Sequence, residues 1–221
     1  MSKAKGKPAS IEEVQGLIQS IKDTKEALNG DQRLAKAKFK AEIFINQLKD
    51  LNNAQRVDSI KQANDTDNLK DLSQIVSTAS DLNNSMSELK AKLKETVNPV
   101  KSSINYINAD YDLKRQFNKA VKDAREALSK TKGANLNERD IQGLSQAIDS
   151  TKDALNGEQR LAEAKEKSKQ FIKQLDTLNN AQNNYLTNEI NKSDNIKDIT
   201  NIVDNASSLN DAMKDLRDTV A

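Results

Sequence analysis

The side chains most often used for chemistry are missing from this sequence. Its 221 residues include no Cys and no His. That removes disulfides, Cys- or His-ligated metals, haem ligation and every Cys–His or Ser–His–Asp nucleophile. Carboxylate chemistry remains, with 33 Asp and Glu to draw on. A hard-ion loop would need an Asp-x-Asp-x-Asp-Gly run, and none occurs. Adjacent acids such as Glu12 and Glu13 are the raw material of a general acid–base pair. In a chain this rich in acids such pairs arise by density, and no Gly-rich loop or aromatic-lined pocket signal accompanies them. No catalytic, cofactor-binding or metal-ligating residue is expected, and no small-molecule substrate.

Binding residues are as scarce. The aromatic fraction is 3%, with no Trp, four Phe and three Tyr. Tyr is enriched at interfaces, which draws attention to Tyr106, Tyr111 and Tyr185. At helix junctions such residues are expected to pack the ring and leave the hydroxyl in water. Phe44, Phe171, Met86 and Met213 fall on apolar stripes and read as core. The 35 Lys and Arg nearly balance the acids, leaving a net charge of +2 with both signs interspersed. That pattern is not a nucleic-acid signal. Lys3, Lys5 and Lys7 form the one biased stretch and read as a solvated arm. No apolar run approaches the roughly 18 residues of a membrane span, and no signal-peptide pattern is read.

The elements that would position any site are helices. Six Gly and two Pro make about 4% of the chain, against roughly 12% on average. A hydrophobic fraction of 35% is too low for one thick core. Thin helical bundles fit, and a compact enzyme does not.

A duplication organises the chain. Ala27-Leu28-Asn29-Gly30 recurs as Ala154-Leu155-Asn156-Gly157, and Leu51-Asn52-Asn53-Ala54-Gln55 as Leu178-Asn179-Asn180-Ala181-Gln182, each 127 residues apart. About 43 of 92 ungapped pairs are identical at that offset. Apolar stripes step by 3 and 4 in both copies, as in Leu34, Ala37, Ala41, Phe44, Leu48 and Leu51. The spacing predicts helices at 11–28, 31–50, 53–63, 68–96, 99–108, 110–131, 138–155, 158–176, 180–191 and 195–220. Ser10 with Glu13, and Asn137 with Asp140, read as capping boxes. Asp67, Asp110 and Asp194 read as N-caps. Asn29-Gly30 and Asn156-Gly157 read as left-handed helix ends. Asn98-Pro99 reads as a cap and first turn, so a break or sharp kink is expected near 97–99.

Some of these residues carry a resemblance. The Leu51–Gln55 segment, with Leu34-Ala35-x-Ala37-Lys38 before it and the Ile75-Val76, Ala79, Leu82, Met86, Leu89 stripe after it, resembles the GA-type three-helix module. Asn105-Tyr106-Ile107-Asn108-Ala109-Asp110, followed by Leu113, Phe117, Ala120-Val121, Ala124 and Leu128, is similar to the FIVAR module. Their alternation is similar to that of the giant staphylococcal extracellular matrix-binding proteins of the cell wall. The resemblance implies an all-α fold, an elongated string of three-helix bundles built from a tandem repeat of about 127 residues. It implies a truncated FIVAR-type unit at 1–30, a GA-type bundle at 31–96, a FIVAR-type bundle at 97–157 and a second GA-type bundle at 158–221. It further implies a non-enzymatic segment of a wall- or envelope-associated adhesin at the bacterial surface, with fibronectin or another host matrix protein as partner.

An albumin-type serum-protein site is the alternative, as is a purely structural spacer. Against the albumin reading, Arg56–Ala63 and their counterparts Asn183–Ile190 present different side chains. A spectrin-like spacer would be expected to carry a marked Trp, and there is none. The chain is expected to be a monomer without membrane contact, with residues 11–28 as the route to weak self-association. Three end-to-end bundles and the opening helix should span on the order of 100 Å at 1.5 Å per helical residue. Small-angle scattering is expected to give a radius of gyration near 30 Å, against about 17 Å for a compact globule of this length.

Overall fold

The computed structural model describes residues 8–220; Lys3, Lys5 and Lys7 lie outside the described residues. Ten helices and no strands occur among them: α1 (Ile11–Ala27), α2 (Gly30–Gln47), α3 (Asn53–Asp65), α4 (Leu69–Lys101), α5 (Ile104–Ile107), α6 (Tyr111–Ala127), α7 (Glu138–Asp153), α8 (Gly157–Lys173), α9 (Asn180–Lys192) and α10 (Ile196–Val220). The chain forms two compact units. One comprises residues up to Lys49 together with Arg56–Asp81; the other comprises Asp50–Gln55 and everything from Leu82 onward.

Helix starts follow local chemistry. Ser10 Oγ accepts from the Glu13 N–H at 3.1 Å while Glu13 Oε2 accepts from the Ser10 N–H at 2.8 Å. Asn137 and Asp140 repeat the arrangement at α7, and Asn179 and Gln182 at α9. Two expected caps shift by one residue. Asn68, not Asp67, caps α4 by accepting from the Asp71 N–H at 2.8 Å. Asn195, not Asp194, accepts from the Lys197 N–H at the start of α10. Asp110 holds the N-cap position of α6 without a side-chain capping bond, because its carboxylate is turned to Asn156 and Arg160.

Three further expectations are corrected. Asn98-Pro99 does not break the helix expected to end near 97–99: α4 runs through Pro99 to Lys101. Pro99 deprives only the Glu95 carbonyl of its donor, and both residues are exposed, where water can replace it. The break comes at Ser103, whose hydroxyl caps α5 through the Tyr106 N–H. Gly30 and Gly157 do not end helices in a left-handed conformation, since among the described residues none has a positive φ; they begin α2 and α8. Phe44 and Phe171 are not core, each being 39% exposed. Their neighbours Ile45 and Ile172 take the interior at 0% exposure. Adjacent residues point about 100° apart on a helix, so only one of each pair can face inward.

In the first unit Ala41, Ile45, Ala63, Leu72 and Ala79 are buried. The Arg56 guanidinium closes the end of α2, donating to the carbonyls of Ile45, Asn46 and Leu48 at 2.7–3.0 Å. The α1 stripe is open: Val14, Leu17, Ile18 and Ile21 are all exposed, whereas their 127-residue counterparts Ile141 and Ile148 in α7 are buried.

The second unit holds two helical bundles. α4 meets α7 where Leu89 shares a cleft with Ile141 and Lys92 Nζ lies 2.5 Å from Asp149, and α6 packs on α7. Phe117, Val121, Ala124, Ile141 and Ile148 fill this bundle. In the other, α8, α9 and α10 enclose Leu161, Ile172, Leu178, Leu186, Ile190, Ile199 and Ala206. Gly157 permits the approach of α5 to α8. A Cβ placed there would sit 2.7 Å from the Ala109 nitrogen and closer still to the Asn105 carbonyl oxygen, while one on Gly30 meets nothing within 4 Å. Gly157→Ala should therefore cost about 1–3 kcal/mol through overpacking. Gly30→Ala should be neutral or stabilising by up to about 0.5 kcal/mol. Thermal melts of the two variants test the contrast.

Candidate functional site

The sites best defined in this chain are junctions, built from amides. The first is the Leu51–Gln55 corner. Asn52 and Gln55 form an intact N-terminal box for α3, with Asn52 Oδ1 accepting from the Gln55 N–H at 2.9 Å and Gln55 Oε1 from the Asn52 N–H at 3.0 Å. The oxygens are thereby used, and the NH2 groups remain. Asn52 Nδ2 donates to the carbonyls of Ala127 and Ala134 at 3.2 and 2.9 Å. Gln55 Nε2 donates to the Leu136 carbonyl at 2.9 Å. Both side chains are 0% exposed, so each buried polar group is met by the turn between α6 and α7.

Other bonds close the corner around them. The Asn53 N–H donates to the Lys130 carbonyl and Lys130 Nζ to the Leu51 carbonyl. Gly133 makes room: a Cβ there would meet Asn52 Nδ2 and the Ala127 carbonyl oxygen at 2.5 Å. Asp50 pairs with Lys90 at 2.9 Å. That hydrogen bond holds the Asp50 carboxyl below its ordinary range, with partial burial opposing it and the charges of Lys90 and Lys130 reinforcing it.

The second junction is the Asn105–Asp110 segment against α8 and α10. Asn108, 4% exposed, donates through Nδ2 to the Asp194 carbonyl at 2.9 Å and accepts through Oδ1 from the Ile196 N–H at 2.8 Å. Arg160 donates to the Asn108 carbonyl at 2.8 Å and pairs with Asp110 at 3.1 Å. Asn156 exchanges two bonds with Asp110, and Asn105 Oδ1 accepts from the Glu158 N–H at 3.1 Å.

The three tyrosines are not brought together. Tyr106 packs edge-on to Phe117 with centroids 5.9 Å apart, but its hydroxyl bonds the Asn118 side chain rather than water alone. Tyr111 is exposed. Tyr185 is 65% exposed and flanks an open groove of about 650 Å³ between α9 and α10, with Asn179, Gln182, Leu186, Ile202 and Leu209. Met86 is buried, as expected, while Met213 is half-buried at the edge of its core. Sequence reasoning missed a second groove, of about 450 Å³, where Lys101, Lys122, Arg125 and Lys132 surround Val121 with one acid, Glu126, which pairs with Lys122 at 3.5 Å. Its cations come from α4, α6 and the following turn, so no sequence run reveals them. Among the described residues no cluster of acids is arranged to hold a metal ion, and no helix is long and apolar enough to cross a membrane. Neither Glu12 nor Glu13 lines either groove, and the Glu13 carboxylate is occupied by the Ser10 N–H.

Comparison with known proteins places these junctions between modules. The GA module matches residues 31–85 and 158–212, and the FIVAR domain matches 85–156, beginning inside α4. The chain is 37% identical over 220 residues to the extracellular matrix-binding protein EbhA of Staphylococcus aureus strain Mu3, covering all of this chain and 3% of that protein. The crystal structure of residues 756–1003 of EbhA from Staphylococcus aureus superposes with a TM-score of 0.81 at 27% identity, covering 90% of this chain and 80% of that one. A structure from work on Embp-mediated Staphylococcus epidermidis adherence to fibronectin has a TM-score of 0.51 at 26% identity, covering 57% of this chain and 98% of that one.

Two outcomes follow from the corner geometry. Asn52→Ala removes a cap and two buried bonds and should cost about 2–4 kcal/mol. Asn179→Ala removes the cap alone and should cost about 1 kcal/mol; chemical denaturation of both variants measures the difference. The depressed Asp50 carboxyl contributes stability above the unfolded-state value near 4, and loses it as pH falls through its lower folded value. With Lys90 largely in solvent, Asp50→Asn should cost under about 1 kcal/mol at neutral pH, and the cost should vanish in acid.

Proposed function

The chain is a homologue of the staphylococcal extracellular matrix-binding proteins and belongs to the family of chains built from GA and FIVAR modules, and from that premise we propose that it is a non-enzymatic repeat segment of a bacterial surface adhesin. It spans 2–6% of the length of the curated relatives it matches. The proposed task is weak, repeated contact with a host matrix protein such as fibronectin, made by a segment held at the cell wall or envelope. The proposed module limits are 31–96, 97–157 and 158–221, after a last FIVAR-type helix within 1–30. What supports this reading most is that the homology to matrix-binding proteins extends over the entire chain, both module types included, and is not confined to one patch.

The chemistry of the surface fits weak contact. Charged side chains of both signs cover the helices, and the basic groove of Lys101, Lys122, Arg125 and Lys132 supplies the densest group of cations in a described pocket. Single contacts of that kind give dissociation constants in the micromolar range or weaker, about −8 kcal/mol or less favourable. Tandem modules raise attachment through effective concentration. The open α1 stripe is the proposed route to weak self-association. A dedicated serum-protein site is less well supported, since Tyr185 in the open groove has Asp58 as its counterpart in the first copy.

Titration of immobilised fibronectin with this chain, and with a longer array of the same repeats, tests the reading. Micromolar binding that weakens with salt and strengthens with repeat number is expected. Lys122→Glu with Arg125→Glu should weaken it about tenfold. Nanomolar, salt-insensitive binding by this chain alone would indicate a dedicated receptor module, and no binding at either length would leave a spacer.

A further inference from the structure

The groove beside Val121 carries more positive charge than its own acid neutralises. Lys122 is met by Glu126 at 3.5 Å, while Lys101, Arg125 and Lys132 have no ion pair among the described residues. The chain as a whole has a net charge of only +2, so this excess is local. Lys122 and Arg125 share one face of α6 and, being three residues apart, lie about 5–6 Å from each other at Cβ. Lys101 comes from the end of α4 and Lys132 from the turn before α7. Ser129 lines the same groove, and its hydroxyl oxygen accepts from the Lys132 N–H at 3.3 Å. The Ser129 hydroxyl proton has no partner among the described residues. GA modules at 31–85 and 158–212 stand on either side of this bundle in the chain, and all four cations remain exposed with both present.

We propose that this groove binds a sulfated glycosaminoglycan chain, with Lys101, Arg125 and Lys132 meeting its sulfate groups. The inference deepens the proposed function at that same groove, and rests on it only in taking the groove as a contact face. The lining selects the class of ligand. A protein partner anchors through side chains that bury in apolar pockets, and the one apolar residue lining this groove, Val121, is only 2% exposed. No apolar floor is left to receive such an anchor. A small free anion would engage one or two of the cations, whereas a chain lying along an open groove engages cations from all three segments in turn. The spacing of Lys122 and Arg125 calls for anions that are equally close. A glycan with one carboxylate per two sugars spaces its charges too widely, and sulfate esters on successive sugars do not. The Arg125 fork suits two parallel bonds to one sulfate, and the Ser129 hydroxyl suits an uncharged sugar hydroxyl.

Calorimetric titration of the full chain with a heparin hexasaccharide tests this. A dissociation constant in the micromolar range is expected, with log affinity falling against log salt at a slope of about −2 to −3 as three or four cations displace counterions. A hyaluronan hexasaccharide, which has carboxylates and no sulfate, should bind about tenfold more weakly or worse. Arg125→Gln with Lys132→Gln removes two unpaired cations; it should weaken heparin binding about tenfold and flatten the slope by about 1 to 2. Lys167→Gln with Lys197→Gln makes the same charge change on exposed positions of the second GA module and should leave affinity within about twofold. Circular dichroism checks that both variants keep their helices, as expected for exposed side chains. Absence of heparin binding would overturn the proposal, as would equal affinity for hyaluronan or an equal loss in the two double variants. Tighter binding of inorganic polyphosphate at matched charge would overturn it by assigning the groove to a phosphate polymer. No protein partner is present in these titrations. Heparin binding without fibronectin binding would therefore support this inference and count against the proposed function, and the reverse result would do the opposite.

Discussion

The organisation of the second unit depends on buried side-chain amides that serve two bundles at once. Asn52 and Gln55 use their oxygens to start α3 and their NH2 groups to hold the α6–α7 turn. Asn108 accepts from the first turn of α10 and donates to the carbonyl just before it. Each bundle of about 60 residues is near the lower limit for independent folding, and no large core is available in a chain that is 35% hydrophobic. A net hydrogen bond contributes only about 0.5–1.5 kcal/mol, but an unmet buried amide costs about 1–3 kcal/mol. Such a contact therefore stabilises modestly and discriminates sharply. It fixes which segment lies against which, and at what register, as apolar contact alone does not.

This gives the 25 Asn of the chain a physical role. Asparagine starts helices at Asn68, Asn137, Asn179 and Asn195. It also ties loops to helices at Asn83 and Asn210, which accept from the equivalent N–H groups of Asp50 and Thr177 in the two copies. Neutral amides perform these tasks without a titrating group of their own, while most of the charged side chains lie on the surface. The proposed function draws on that division: junctions built mainly from amides hold the modules, and a charged, salt-sensitive surface makes contact.

The helices were legible because the 3–4 stepping of apolar residues is undisturbed by Gly, Pro or β-rich runs. Both expected capping boxes, at Ser10 and Asn137, form. The errors share a cause: local signals were overridden by neighbours. Pro99 reads as a helix start, but the buried side chain of Val97 keeps the α4 stripe continuous on its inner face. Asn156-Gly157 reads as a left-handed end, but Gly157 answers to the backbone of α5. Phe44 and Phe171 lost the interior to the adjacent Ile. The junctions were the least legible feature, because Asn52 and its acceptor carbonyl on Ala134 lie 82 residues apart. A signal was nevertheless present. Asn and Gln three residues apart beside an apolar stripe, repeated in both copies, mark a helix cap whose NH2 groups remain available to a second segment.

The measurement that tests this account most directly is residue-resolved hydrogen exchange of the wild type and Asn108→Ala under native conditions. Asn108 has one direct bond to α10 and one to the carbonyl of Asp194, and its own carbonyl is held by Arg160 of α8. If shared amides hold the modules together, the substitution accelerates exchange concertedly across the first turns of α8 and α10 and in α5, while the cores around Phe117 and Ile190 keep their protection. Acceleration confined to the Ile196 amide would contradict it, since Asn108 would then be a local cap and the junction would owe its order to apolar packing.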